Sequence, residues 1–207
     1  MLNGYVGGYG GGEAALNGNL LSRGVIFRLD GNGGQYESRL ISASQPQIEV
    51  PTGGGDVLVG YRMSLGASWL TGFVGGDVQA HDNPDPGATL RGTEGGVKGL
   101  AEYFGPLSPK LDLLAYGSYS TAFSTYQAFA RFGYKIHNNP NVYDVIKIGP
   151  EVSSFGIEDA YRDGSIGGFI GFENAFGQFA ISGGYRHPFT DSPDGYYGNM
   201  HFGMSFY

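Results

Sequence analysis

The chain has 207 residues, a net charge of −7, 39 glycines, 15 tyrosines, 14 phenylalanines and no cysteine. The acidic balance excludes the basic face of a nucleic-acid binder, the missing thiols exclude a disulfide framework or a zinc–thiolate site, and no apolar run reaches the ~18 residues of a transmembrane helix. Glycine stands near three times its usual ~7% and penalises helix interiors, while Tyr and Phe favour strands, so the composition points to an all-β chain.

Met1 leads directly into LNGYVGG, with neither the basic nor the apolar region of a signal peptide. An exported protein would carry this sequence as its mature form behind a start methionine. Period-two alternation then marks one strand after another. Val25, Phe27 and Leu29 alternate with Ile26, Arg28 and Asp30. The stretch DGNGG, residues 30–34, is a tight-turn signal that would fold 24–45 into a hairpin. Val57, Val59, Tyr61, Met63 and Leu65 alternate with Asp56, Leu58, Gly60, Arg62 and Ser64. In VKGLAEYF (97–104), Val97, Gly99, Ala101 and Tyr103 oppose Lys98, Leu100 and Glu102, with Glu94 one step earlier. Leu111, Leu113 and Ala115 oppose Asp112, Leu114 and Tyr116. Tyr126, Ala128, Ala130, Phe132, Tyr134 and Ile136 oppose Gln127, Phe129, Arg131, Gly133, Lys135 and His137. Further runs surround Lys147 and Glu151, Phe169 and Glu173, and Gln178 and Arg186, and the last sets Tyr196, Met200, Phe202, Met204 and Phe206 against Asn199, His201 and Ser205.

Short connections at 65–67, 105–110, 137–141 and 173–177 alternate with longer ones at 45–55, 81–91, 154–163 and 187–195. That is the pattern of an up-and-down barrel with tight turns at one rim and loops at the other. Eleven runs are visible; the DGNGG hairpin would make twelve, with ten as the alternative, in a single domain over 1–207. The alternation alone allows two assignments: apolar side buried in a soluble sandwich, or apolar side turned to lipid around an ionic interior. Two features favour the second. The apolar side is rich in Gly, Ala, Tyr and Phe rather than in the aliphatic residues of a sandwich core. Tyr103, Tyr119, Tyr126, Tyr134, Tyr185 and Tyr196 fall near strand ends, where interfacial girdles form. The expected fold is thus a transmembrane antiparallel up-and-down β-barrel in an outer membrane, with membrane lipids as its surroundings.

The segments ALNGN (15–19), RGVIFRL (23–29), DVLVGYRM (56–63), RGTEGGVKGLAEYF (91–104), GSYSTAFSTYQAFARFGYKI (117–136) and IGPEVSSFG (148–156) resemble the BcsS cellulose-biosynthesis family of Gram-negative bacteria. The resemblance runs from about residue 5 to the C-terminus, in order and spacing. The terminal YYGNMHFGMSFY is similar to the closing strands of outer-membrane barrels, although Tyr207 lies one residue past the alternating series. The resemblance implies an outer-membrane protein linked to cellulose secretion, with cellulose or secretion subunits as partners. It supplies no catalytic residues.

The residues themselves point to no catalytic, cofactor or metal site. His201 and Ser205 share a face with Asn199, but positions four apart on a strand lie ~13 Å apart, too far for a nucleophile–base hydrogen bond. His81 sits in HDNPDP without the spacing of a calcium loop, and His137 and His187 fall at turns. The informative polar set is the predicted interior: Arg28, Asp30, Arg62, Glu94, Lys98, Glu102, Asp112, Arg131, Lys135, Lys147, Glu151, Glu173 and Arg186. It reads either as ion pairs filling a barrel or as a polar conduit. Interior aromatics Trp69, Phe73, Tyr116, Phe129 and Phe169 could pack as a plug, and Trp69, Tyr116 and Phe129 are candidates to stack on glucan rings. The expected function is a non-enzymatic barrel serving cellulose export or anchoring; a general small-solute porin is the alternative, and a barrel enzyme lacks nucleophile geometry.

Overall fold

The computed structural model describes residues 2–19, 22–39, 47–88, 90–139, 144–158, 161–174, 177–189 and 194–204. Eleven strands stand among them: β1 Leu2–Ala15, β2 Gly24–Arg39, β3 Gln47–Leu65, β4 Ser68–His81, β5 Gly92–Ser108, β6 Leu111–Ser120, β7 Thr125–Asn139, β8 Asp144–Ile157, β9 Tyr161–Asn174, β10 Gly177–Pro188 and β11 Gly195–Met204. Each pairs antiparallel with its sequence neighbours, so one sheet runs in chain order from β1 to β11. The sheet curls into a half-barrel. This is the expected all-β meander.

The expected DGNGG hairpin does not form. Asp30 to Gly34 lie inside β2, paired with Gly11 to Gly7 on one side and with Asp56 to Thr52 on the other. A two-residue type I′ turn needs positive φ at both central positions. The positive-φ glycines of the described chain are Gly18, Gly24, Gly66 and Gly92, none of them in this stretch. Glycines also face it from both neighbouring strands, so a flat ladder forms where local sequence signals a turn. The described residues therefore hold eleven strands, without the twelfth that this hairpin would have supplied.

Two expected loops are largely strand. Most of 45–55 belongs to β3, and of 154–163 only 158–160 lies between β8 and β9. The rim asymmetry holds only in part, since residues 16–23 join β1 to β2 at the rim of the tight turns and only 158–160 join β8 to β9 at the other. The turns at 66–67 and 109–110 share one rim, while segments 82–91 and 189–194 lie at the other. Gly66, at φ +72°, makes the first of these turns.

Side-chain burial decides the orientation. Val57, Val59, Tyr61, Met63 and Leu65 are exposed along β3, and their neighbours Asp56 and Leu58 are buried. Leu29, Val74, Val97, Ile148, Ile166, Ile170 and Ile181 continue the exposed apolar surface around the sheet. Charge lies on the other side, where Lys147, Glu151, Asp112 and Asp163 are each less than a tenth exposed. A water-soluble sheet has the opposite distribution. Tyr119, Tyr126, Tyr185 and Tyr196 sit close to strand ends at the loop rim, and Tyr61, Tyr103 and Tyr134 lie toward the tight-turn rim. From Val57 to Leu65 the exposed row spans about 26 Å along the strand at ~3.3 Å per residue, close to the ~25 Å apolar band of outer-membrane barrels.

The concave side has its own small apolar core. Ile26, Leu58 and Phe73 are buried together, with Ala15 and Leu100 packed against them. A Cβ on Gly60 would stand 2.4 Å from Phe73 Cδ1. Glycine at this position lets the Phe73 ring lie flat against the next strand.

Candidate functional site

The interior charges form three groups. In the first, Arg28 Nε donates to Asp30 at 2.5 Å, and its Nη1 lies 3.5 Å from Glu13 and 3.4 Å from Glu102. Arg62 Nη2 bonds Glu13 at 2.9 Å, while its Nε donates to Thr71 Oγ1 at 3.0 Å. The Arg28 guanidinium lies 5.7 Å from the centre of the Phe73 ring, which joins this network to the apolar core beneath it. Lys98 bonds Asp56 across β3–β5.

The second group spans β6 to β11. Lys147 Nζ lies 2.7 Å from Asp112 Oδ2 and 2.8 Å from both oxygens of Glu173. Lys135 takes the other Asp112 oxygen at 2.8 Å. Arg131 faces its register partner Glu151 and grips one carboxylate oxygen through Nε at 2.9 Å and Nη2 at 2.6 Å. Tyr197 donates to the second Glu151 oxygen at 3.0 Å. The third group lies near the loop rim, where Arg186 pairs with Asp163 at 2.8 Å and bonds the Tyr161 hydroxyl.

Twelve of the thirteen charged residues expected to form the interior network take part in these pairs. Glu94 does not: it is exposed at the loop rim, where it accepts from the Phe123 backbone N–H at 3.1 Å. Phe123 and Ser124 hold φ of 49° and 47°, a region that non-glycine residues seldom occupy. Ser120 and Thr121 fasten the same turn, through hydrogen bonds to the Ala122 and Val97 N–H groups. The Phe123 ring meets His81 edge-on at 4.9 Å, and His81 also meets Tyr36 at 5.8 Å. His81 is therefore a packed rim residue.

Beyond this rim cluster, the exposed Asp194 accepts from Tyr185 and contacts His187 at 2.5 Å. These hydrogen bonds hold its carboxyl below the ordinary aspartate value.

The aromatics divide into two sets. Tyr116 and Phe129 stack on one another, 5.2 Å apart at 24°, and Arg131 covers Phe129 at 5.2 Å. Arg131 also lies 4.5 Å above Phe169. Trp69 stands opposite Phe104 in the β4–β5 register. Phe104 is 40% exposed on the side that carries Lys98 and Glu102. It borders a small cleft, open to solvent and lined also by Asp112, Leu114, Arg131, Lys147, Phe169, Glu173, Gln178 and His201. The sheet's curl brings β5 and β11 to one site although five strands separate them. Ser205, the expected neighbour of His201, lies outside the described residues, as does the terminal Phe206–Tyr207.

Sequence reasoning missed Glu13, Asp56, Asp163, Tyr197 and Phe104 in this interior. For Phe104 the signal was present, since it continues the Lys98, Leu100, Glu102 alternation. Glu13 needed the register against Arg28, because its own strand is mostly glycine. Chemically, the described interior is mostly ion pairs set around aromatic faces.

No curated protein and no solved structure matches the chain. The model of the cellulose biosynthesis protein BcsS family matches residues 3–206, so the chain belongs to the BcsS family and is associated with cellulose biosynthesis.

Proposed function

We propose that this protein is a non-enzymatic outer-membrane β-barrel that serves cellulose export or the anchoring of cellulose at the cell surface. One observation carries the membrane reading: the exposed side of the sheet is apolar, while Lys147, Glu151 and Asp112 are buried on the other. In water, so large an apolar surface would drive association; against acyl chains it is the favoured arrangement. Family membership supports the link to the cellulose machinery. The paired interior charges and the Ile26–Leu58–Phe73 core support a filled scaffold over a wide solute pore. The test is a deletion strain. Cellulose secretion or surface retention should fall and return with the plasmid-borne gene, and the protein should fractionate with outer membranes. Normal cellulose output and retention would refute the role. Fractionation with the soluble proteins would refute the location. Large unselective conductance in planar bilayers would favour the porin instead.

A further inference from the structure

We infer that the cleft beside Phe104 is a binding subsite for a neutral β-linked glucan; this rests on the cellulose role proposed above.

The charge arrangement narrows the ligand class. Two cations, Arg131 and Lys147, and two carboxylates, Asp112 and Glu173, line the cleft. All four are already paired, with each other or with Lys135 and Glu151. An ionic ligand would meet no net field and would have to break a pair. A neutral ligand rich in hydroxyls does not. The Glu173 side chain is 35% exposed and keeps lone pairs beyond those used by Lys147. The exposed Gln178 carboxamide makes no hydrogen bond among the described residues and can both donate and accept.

The aromatic faces narrow it further. Phe104 presents a ring with Lys147 Nζ 5.8 Å from its centroid. Trp69 is its cross-strand neighbour on the same side of the sheet. The Tyr116–Phe129 pair is different, because its rings cover each other and Arg131 covers Phe129. The open ring face at the cleft is thus that of Phe104. A β-linked glucosyl ring holds its hydroxyls equatorial, so both its faces are C–H and its polar groups lie around the edge. Such a ring can lie on Phe104 with its edge toward Glu173 and Gln178. An α-linked glucan has similar rings but coils, and cannot lay successive residues flat along one platform.

The experiment is titration calorimetry of the full chain, folded in detergent, with cellohexaose and with maltohexaose. Cellohexaose should bind, and maltohexaose should bind at least about tenfold more weakly, one decade being ~1.4 kcal/mol. Phe104→Ala should weaken cellohexaose about tenfold or more, as truncation of an aromatic anchor does, with unchanged heat-modifiable gel mobility. If that variant does not fold, Phe104→Leu keeps apolar volume, removes the flat face and should give the same loss. Absence of cellohexaose binding, equal binding of both sugars, or indifference to the Phe104 substitutions would overturn the subsite. The cellulose role is tested separately. A deletion phenotype without cellohexaose binding defeats the subsite alone, and binding without a deletion phenotype defeats the role alone.

Discussion

Replacing Lys147 by Met tests whether the charged side of the sheet is dry. Lys147 Nζ holds Asp112 at 2.7 Å and both oxygens of Glu173 at 2.8 Å, and its side chain is 7% exposed. Breaking a buried pair by removing one partner costs about 3–5 kcal/mol, because the other charge is left without compensation. Two features place this case at the low end. Asp112 keeps Lys135 at 2.8 Å, and Glu173, about a third exposed, can turn toward water. The expected loss is therefore about 3 kcal/mol. Adding Asp112→Asn should recover part of it, with a coupling of ~1–3 kcal/mol in the double-mutant cycle. The assay is urea unfolding from phosphocholine vesicles, followed by fluorescence of Trp69, the single tryptophan. Lys110→Met, at an exposed turn, is the control and should change little. A Lys147→Met loss below ~1 kcal/mol, the value of solvated pairs, would refute the packed interior and mean that water fills the concave side.

Three further outcomes follow from particular contacts. Gly60→Ala places a Cβ 2.4 Å from Phe73 and 2.5 Å from the Gly72 carbonyl oxygen, and should cost ~1–3 kcal/mol by overpacking; Gly72→Ala, whose Cβ meets nothing within 4 Å, should not. Both are read from the same urea titration, and equal effects would sink the packing argument. Val74→Arg puts a charge on the exposed apolar side, between Val59 and Gly99, and should lower stability in vesicles by ~2–4 kcal/mol if that side faces mid-bilayer; a loss under ~1 kcal/mol would contradict lipid contact. Asp194, stabilised as the anion by Tyr185 and His187, should titrate below the ordinary 3.8. A depressed carboxyl stabilises its contacts above the unfolded value, and this is lost as pH falls through the folded one. Carboxyl-carbon NMR should show Tyr185→Phe moving the titration back up, and no movement would remove the hydrogen bond as its cause.

Much of the fold was legible because a strand's side chains alternate with period two, whatever surrounds them. Alternation assigned Arg131, Lys147 and Glu151 to one side and Val57, Val59 and Ile148 to the other before any partner was known. It could not choose the pairs. Lys98 has Glu94 and Glu102 four residues away on its own strand, yet it bonds Asp56 from β3. Phe104 needed only the alternation continued, but its place beside His201 depended on curvature across many strands.

Length, glycine and aromatic content, period-two alternation and turn chemistry determine from the sequence alone that this chain is an antiparallel meander with one greasy and one ionic side. These are local properties, set by backbone geometry and by residues next to each other in the chain. Only the tertiary structure decided that DGNGG continues as strand, since ladders on both flanks outweigh a local turn preference. It also decided which side is covered and which charges neutralise which, because register and curl join residues that the chain keeps far apart.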